Sequence, residues 1–253
     1  MQGEGIVDEL LKKDKTKKTS NGQKTNEEAV YGNYVVQEDK TTGEIVVTHK
    51  SDKYPAMIAA RQKDNHPSIV SFGKSGKKFG YLDSDKKIFI PPIMDRQVEL
   101  SSDRLLVAHG SQYAFFDTGG KAIGKKVFDK AFAYSDGLAS VRKNDELYYI
   151  DTVGKKSIEG NYDKAYDFCE GLAVVENGGR EYYIDKKGAN PFGKTFEEAH
   201  SFSEGIAGVK EKGKYYFINK QGKMLYGPFD EVGGFVNGKA LVRINGQTKF
   251  ICK

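Results

Sequence analysis

Tryptophan is absent from the 253 residues, cysteine occurs twice, histidine four times and proline six times. Cys169 and Cys252 are too few for a disulfide scaffold. Neither lies at ligand spacing from His49, His66, His109 or His200, so no metal centre is expected. Apolar runs long enough to cross a bilayer are missing, and no hydrophobic signal segment follows Met1. A full-length chain of this kind is expected to be cytoplasmic; a trimmed one would be exported or envelope-associated. No Gly-rich phosphate loop leads from a strand into a helix, and no nucleophile elbow is present, so no cofactor and no catalytic residue is expected. Charge of one sign is also scarce. Forty basic side chains stand against 35 acidic ones, interspersed, and a net +5 is too weak to indicate nucleic acid.

What the chain has instead is glycine and aromatic rings: 29 Gly, 15 Tyr and 15 Phe, a composition of tight turns and large buried surfaces. The rings recur in order. Leu147-Tyr148-Tyr149-Ile150-Asp151, Glu181-Tyr182-Tyr183-Ile184-Asp185 and Tyr215-Tyr216-Phe217-Ile218-Asn219 are copies of one strand, preceded by Tyr113 to Asp117 and Phe79 to Asp83. The closing polar residue falls at 83, 117, 151, 185 and 219, a constant step of 34, and a last copy ends at Cys252. A fixed period in this range marks a repeat architecture. Each repeat opens with a small-and-aliphatic strand (Leu138 to Val141, Leu172 to Val175, Ile206 to Val209). It continues through the aromatic strand and an Asp-x-x-Gly turn into a short third strand. It closes on an aromatic-acid-x-Ala corner such as Phe128 to Ala131, Tyr162 to Ala165 or Phe196 to Ala199.

Alternate residues of a strand face opposite sides of its sheet. The two residues before each closing Asp are both large, so both sides must be covered, and a unit of this size cannot do that alone. The expected fold is therefore all-β, a tandem repeat of ~34-residue three-stranded units. A propeller-like closed ring of about six units is favoured, with an open β-solenoid as the alternative. In the ring, the hairpin at residues 31–49 would supply the strand missing from the last sheet. Residues 1–29 are expected to form a flexible segment with one short helix at Ile6 to Leu11, and residues 30–253 a single β-repeat domain. Lys53 to Lys63 reads as a short helix.

The run from Phe202 to Lys223, F-S-E-G-I-A-x-V-K-x-x-G-K-Y-Y-F-I-N-K-x-G-K, resembles the bacterial WG-repeat β proteins over roughly residues 69–252. Phe79, Tyr113, Leu147, Glu181 and Tyr215 stand where that family places Trp, and only Gly80 keeps the Gly that follows it. The resemblance implies an all-β interaction module and carries over no catalytic residue.

Two groups of side chains are candidates for function. Tyr148, Tyr182 and Tyr216 share a register; exposed, they would form a ladder able to stack sugars or anchor a protein, and buried, they fill the core. Asp129, Asp163 and Asp230 with Glu170 and Glu204 are carboxylates of the kind that work in pairs on glycosidic bonds. Their repetition points instead to corner-turning, because a catalytic pair is usually unique in a chain. The Asp-x-x-Gly loops read as capped turns, since calcium needs more oxygens than each offers. The expected function is a non-enzymatic scaffold for protein–protein interaction. An envelope glycan- or peptidoglycan-binding module is the alternative, and a glycoside hydrolase a weaker one.

Overall fold

In a computed structural model the described residues are the strands between 26 and 99, as backbone, and from there to Lys253 everything except 118–120 and 125–126. The short helix expected at Ile6 to Leu11 lies outside them. The chain divides into two compact units, Met1–Lys130 and Ala131–Lys253. Among the described residues no helix is long and apolar enough to cross a membrane.

Among the described residues the first unit contains three antiparallel sheets. Asn26–Tyr31, Tyr34–Asp39, Ile45–His49 and Ala56–Ala59 form one, Ser68–Phe72, Lys78–Leu82 and Phe89–Met94 the next, and Glu99–Ser101, Arg104–His109 and Gln112–Asp117 the third. Two expectations are corrected here. Ala56–Ala59 is a strand and not a helix: four apolar residues are too few to nucleate helix, and Ile45–His49 offers them main-chain partners. The hairpin at 31–49 pairs within its own sheet, so it does not complete the last one. Seven sheets are present among the described residues, one more than the sequence count.

The second unit holds four sheets built to one plan. Two-residue turns join the small-residue strand to the aromatic strand in each: Leu138–Lys143 to Glu146–Asp151, Leu172–Asn177 to Arg180–Asp185, Ile206–Glu211 to Lys214–Asn219, and Lys239–Ile244 to Gln247–Cys252. Asn144-Asp145 carries φ values of 50° and 63°, and Lys212-Gly213 51° and 74°. Positive φ at both central positions is the turn whose twist matches that of paired strands. The corner does more than turn the chain. Its x-Ala residues form a further strand against the small-residue strand, with Ala165 opposite Val175, Ala199 opposite Val209 and Val232 opposite Val242. Sheets therefore have three or four strands, the four-stranded ones adding Lys156–Ile158 or Met224–Phe229 on the far edge.

The Asp-x-x-Gly turn is capped as its composition demands. Asp151 Oδ1 accepts from the N–H of Val153 at 3.0 Å and of Lys155 at 2.8 Å, and Gly154 comes next in the turn at φ 81°. Asp185 repeats this with Lys187 and Ala189, and Asn219 with Gln221 and Lys223. An amide oxygen serves as well as a carboxylate, because the need is one acceptor for two orphan donors.

Successive sheets of the second unit pack face to face. Tyr149 of one sheet shares a core with Ala173, Val175 and Ile184 of the next. Val174 and Tyr183 of that sheet join Ala207, Val209 and Ile218 of the third. Ile206 and Phe217 in turn join Ala240 and Val242 of the last. A strand thus has an upstream face carrying Ala and Ile and a downstream face carrying the ring. Tyr149, Tyr183 and Phe217 are each 0% exposed. The ring of each meets an incoming Phe at a near-constant distance: Phe168 at 5.0 Å, Phe202 at 5.1 Å and Phe235 at 5.0 Å. A buried ring contributes roughly 1.5–3 kcal/mol and a tilted or edge-on pair adds about 0.5–1.5, so these pairs dominate each junction.

Candidate binding surface

The tyrosines singled out in the sequence lie on the upstream faces of their strands. Tyr148 is buried, with the Lys156 Nζ 4.6 Å above its ring. Tyr182 and Tyr216 are half-buried, each packed against the core between its own sheet and the preceding one. Burial pushes the Tyr182 phenol up. The three share a register but make no bare ladder.

The recurring carboxylates are held by backbone. Asp163 accepts from the Gly178 N–H at 2.7 Å and Glu197 from the Gly213 N–H at 3.0 Å, so each corner acid grips the hairpin turn of its own sheet. Asp230 takes the same place, with Lys214 at 2.5 Å, and that ammonium holds its carboxyl below the usual range. Glu170 and Glu204 do another job. Asp136, Glu170 and Glu204 have φ of 52°, 54° and 54°, and each precedes the Gly that opens a repeat. Their carboxylates accept the N–H of the equivalent Gly one repeat on: Gly171 at 2.6 Å, Gly205 at 3.0 Å and Gly238 at 3.0 Å. Their carbonyls accept a lysine from that same repeat: Lys186 at 2.6 Å, Lys220 at 2.8 Å and Lys253 at 2.5 Å. The Lys253 ammonium also holds the Glu204 carboxyl below its ordinary range.

A cross-strand ion pair recurs beside the corner strand, Lys164 with Glu176, Glu198 with Lys210 and Glu231 with Arg243, and in one sheet it grows into a cluster. Glu198 ion-pairs with Lys210 at 2.6 Å and accepts from the Tyr215 hydroxyl, while the Tyr215 ring lies 5.7 Å from that of His200. Lys210 draws the Glu198 carboxyl down, and partial burial with that same carboxylate pushes the Tyr215 phenol up. Glu198, Lys210 and Tyr215 satisfy one another. Among the described residues no group of three or more His, Cys, Asp or Glu is placed to hold a metal ion, and Cys169 and Cys252 are free thiols.

The surface that stands apart is the downstream face of the last sheet, which the sequence reading did not single out. Phe250 occupies the register of Tyr149, Tyr183 and Phe217, yet it is 70% exposed. Leu241 lies directly opposite it across the hairpin and is 44% exposed, where Ser140, Val174 and Gly208 are buried in earlier sheets. Val236 is 67% exposed at the position where Ser135 and Ser203 donate to the next repeat's Phe168 and Phe235 carbonyls. Groups that tie one sheet to the next are thus replaced by bare apolar side chains.

Comparison with known proteins agrees with this repeat plan. The family described as WG containing repeat matches residues 113–146, 149–180, 183–215 and 217–247. Among curated proteins nothing matches. Of solved structures, a form of Kluyveromyces lactis Hsv2 with loop 6CD replaced by a Gly-Ser linker is 10% identical, over 83% of this chain and 85% of that one, at a TM-score of 0.43. A eukaryotic initiation factor is 14% identical over 69% of this chain and 57% of that one, also at 0.43. PorZ, a surface component of the type-IX secretion system of Porphyromonas gingivalis, is 13% identical over 96% of this chain and 39% of that one, at 0.35.

Proposed function

The chain belongs to the WG-containing repeat family, and on that premise we propose that it is a non-enzymatic scaffold that binds another protein through the downstream face of its last sheet. The observation that carries this is the change of environment at one register: a ring wholly covered in three successive sheets is 70% exposed in the fourth. Exposed aromatic anchors beside aliphatic side chains are what protein interfaces bury at their centres. In support of a structural role for the carboxylates, Asp163, Glu170, Glu197 and Glu204 each hold a backbone N–H. The glycan reading has less support, since its tyrosine ladder is spent on packing between sheets.

The test is capture from a lysate of the source organism with the wild-type chain and with Phe250→Asp and Leu241→Asp. Both positions are exposed, so the fold is retained. A partner recovered by the wild type and lost with both variants supports the reading, whereas recovery independent of both would end it.

A further inference from the structure

Asparagine followed by glycine is among the least durable pairs of residues in a polypeptide, because glycine has no side chain to shield its nitrogen from the asparagine amide. The glycine nitrogen gives up its proton and bonds to the asparagine Cγ. The Cγ–Nδ2 bond breaks, and ammonia leaves with a proton. Water then opens the cyclic imide at either carbonyl, leaving aspartate or isoaspartate. The sequence holds four such pairs, of which Asn21-Gly22 lies outside the described residues. Asn177-Gly178, Asn237-Gly238 and Asn245-Gly246 lie at tight turns of the second unit. All three asparagines are exposed, so burial does not keep water from them.

What these pairs share is a carboxylate on the glycine N–H. Asp163 Oδ2 accepts from Gly178 at 2.7 Å, and Glu204 Oε2 accepts from Gly238 at 3.0 Å. The Gly246 N–H donates to Asp230, as does that of Asn245. Reaction begins with loss of the very proton that each carboxylate holds. Removing it would leave an anionic nitrogen within hydrogen-bond distance of a second negative charge, and a like charge so close disfavours ionisation. The turns add a constraint. Asn245 and Gly246 have φ of 49° and 78°, and Asn237 and Gly238 have 52° and 73°, which hold the nitrogen in place. The grip is not reserved for asparagine, since Glu197 accepts from Gly213 at 3.0 Å in a turn where Lys212 precedes the glycine. There it serves geometry alone.

Beyond the scaffold reading and independent of it, we infer that the corner acids protect the turns they grip: Asn177 and Asn245 are latent deamidation sites, kept intact in the folded chain by Asp163 and Asp230. Asn177 is paired with Arg180 at the end of its strand, and Asn245 lies between the paired residues Ile244 and Gln247. Isoaspartate at either position adds a methylene to the main chain at a hairpin turn and disturbs the register that the turn sets.

The test is incubation of the full chain at neutral pH, with peptide mapping by mass spectrometry to follow conversion of each asparagine to the acid. Peptides copying Val175 to Arg180 and Val242 to Lys249 give the unprotected rates. In the wild type both asparagines are expected to convert at least about tenfold more slowly than in the peptides, since a hydrogen bond to a charged group must be given up. Asp163→Ala is expected to speed Asn177 roughly tenfold and leave Asn245 unchanged, and Asp230→Ala does the reverse. Asp163→Asn and Asp230→Asn keep the size of the side chain while removing its charge, so they raise the same rates should the alanine variants not fold. Glu197→Ala, which releases a turn without asparagine, changes neither rate. Wild-type rates equal to those of the peptides overturn the inference. So do unchanged rates at the partnered asparagine in the Asp163 and Asp230 variants. A rise at both asparagines together in any single variant, or any rise with Glu197→Ala, also overturns it, since that marks general loosening and not lost protection.

Discussion

Phe217 and Phe250 are the same residue at the same register of successive sheets, so truncating each to alanine isolates what a neighbouring sheet contributes. Phe217 is 0% exposed and meets Phe235 at 5.0 Å and Phe229 at 5.8 Å. Phe217→Ala therefore loses the transfer of a whole ring and leaves a cavity between two sheets, about 3–5 kcal/mol. Phe250 is 70% exposed, and its truncation is expected to cost no more than about 0.5–1 kcal/mol. With a urea slope of roughly 2 kcal/mol per molar, Phe217→Ala lowers the midpoint by about 2 M and Phe250→Ala by less than about 0.5 M. Far-UV circular dichroism against urea reads both, and tyrosine emission tracks the same transition, since the chain has no Trp to mask it. Equal falls in midpoint would refute the argument, because the ring of Phe250 would then be as well covered as that of Phe217.

Three further outcomes are expected. Asp151→Ala strands the Val153 and Lys155 N–H groups and lowers stability by about 1–2 kcal/mol, while Asp151→Asn is nearly neutral, as Asn219 in the same role implies; thermal melts of the pair distinguish them. Gly208→Ala places a Cβ 2.7 Å from Val232 Cγ2 and 3.2 Å from the His200 ring, so its melting temperature falls, by the equivalent of about 1–3 kcal/mol, even though alanine suits a strand better than glycine. The carboxyls of Glu198, Glu204 and Asp230 are all held low in the folded chain, so the unfolded chain binds protons more readily. Their contribution is complete above the ordinary carboxylate range and is lost as pH falls through the depressed values. Melting temperature is therefore flat down to about pH 5 and declines below it, and the difference between wild type and Glu204→Gln narrows as Glu204 itself becomes protonated. A gap that widened with acid would be the wrong sign.

The repeat was legible in the sequence because its demands are local. The step of 34, the large residue pair before each Asp and the Asp-x-x-Gly turn come from strand alternation and from one side-chain acceptor, and neither needs tertiary knowledge. Less legible were features decided by what lies next door. Tyr182 is spent between sheets because its register is upstream, and nothing in Glu181-Tyr182-Tyr183 says which of two adjacent rings points to which neighbour. Glu170 and Glu204 read as corner-turning acids alongside Asp163 and Asp230, because the Gly N–H groups they accept lie a full repeat away. Ala56–Ala59 was misread because its strand character comes from Ile45–His49 and not from its own four residues. Phe250 has the same identity as Phe217 and is likewise followed by Ile, so nothing local to the strand tells the covered ring from the exposed one.

The acid–glycine and lysine–carbonyl connectors join adjacent repeats and never skip one: Asp136 to Gly171 and Lys186, Glu170 to Gly205 and Lys220, Glu204 to Gly238 and Lys253. Slippage or unequal recombination of the coding DNA that inserted or removed one whole period would leave all the other linkages as they are, and one new seam would form from parts already shaped for it. Molecules wired this way can grow or shrink by units over evolutionary time while remaining folded at every intermediate length. An insertion of any other size, even of a few residues, would put carboxylate and glycine out of step and would be selected against.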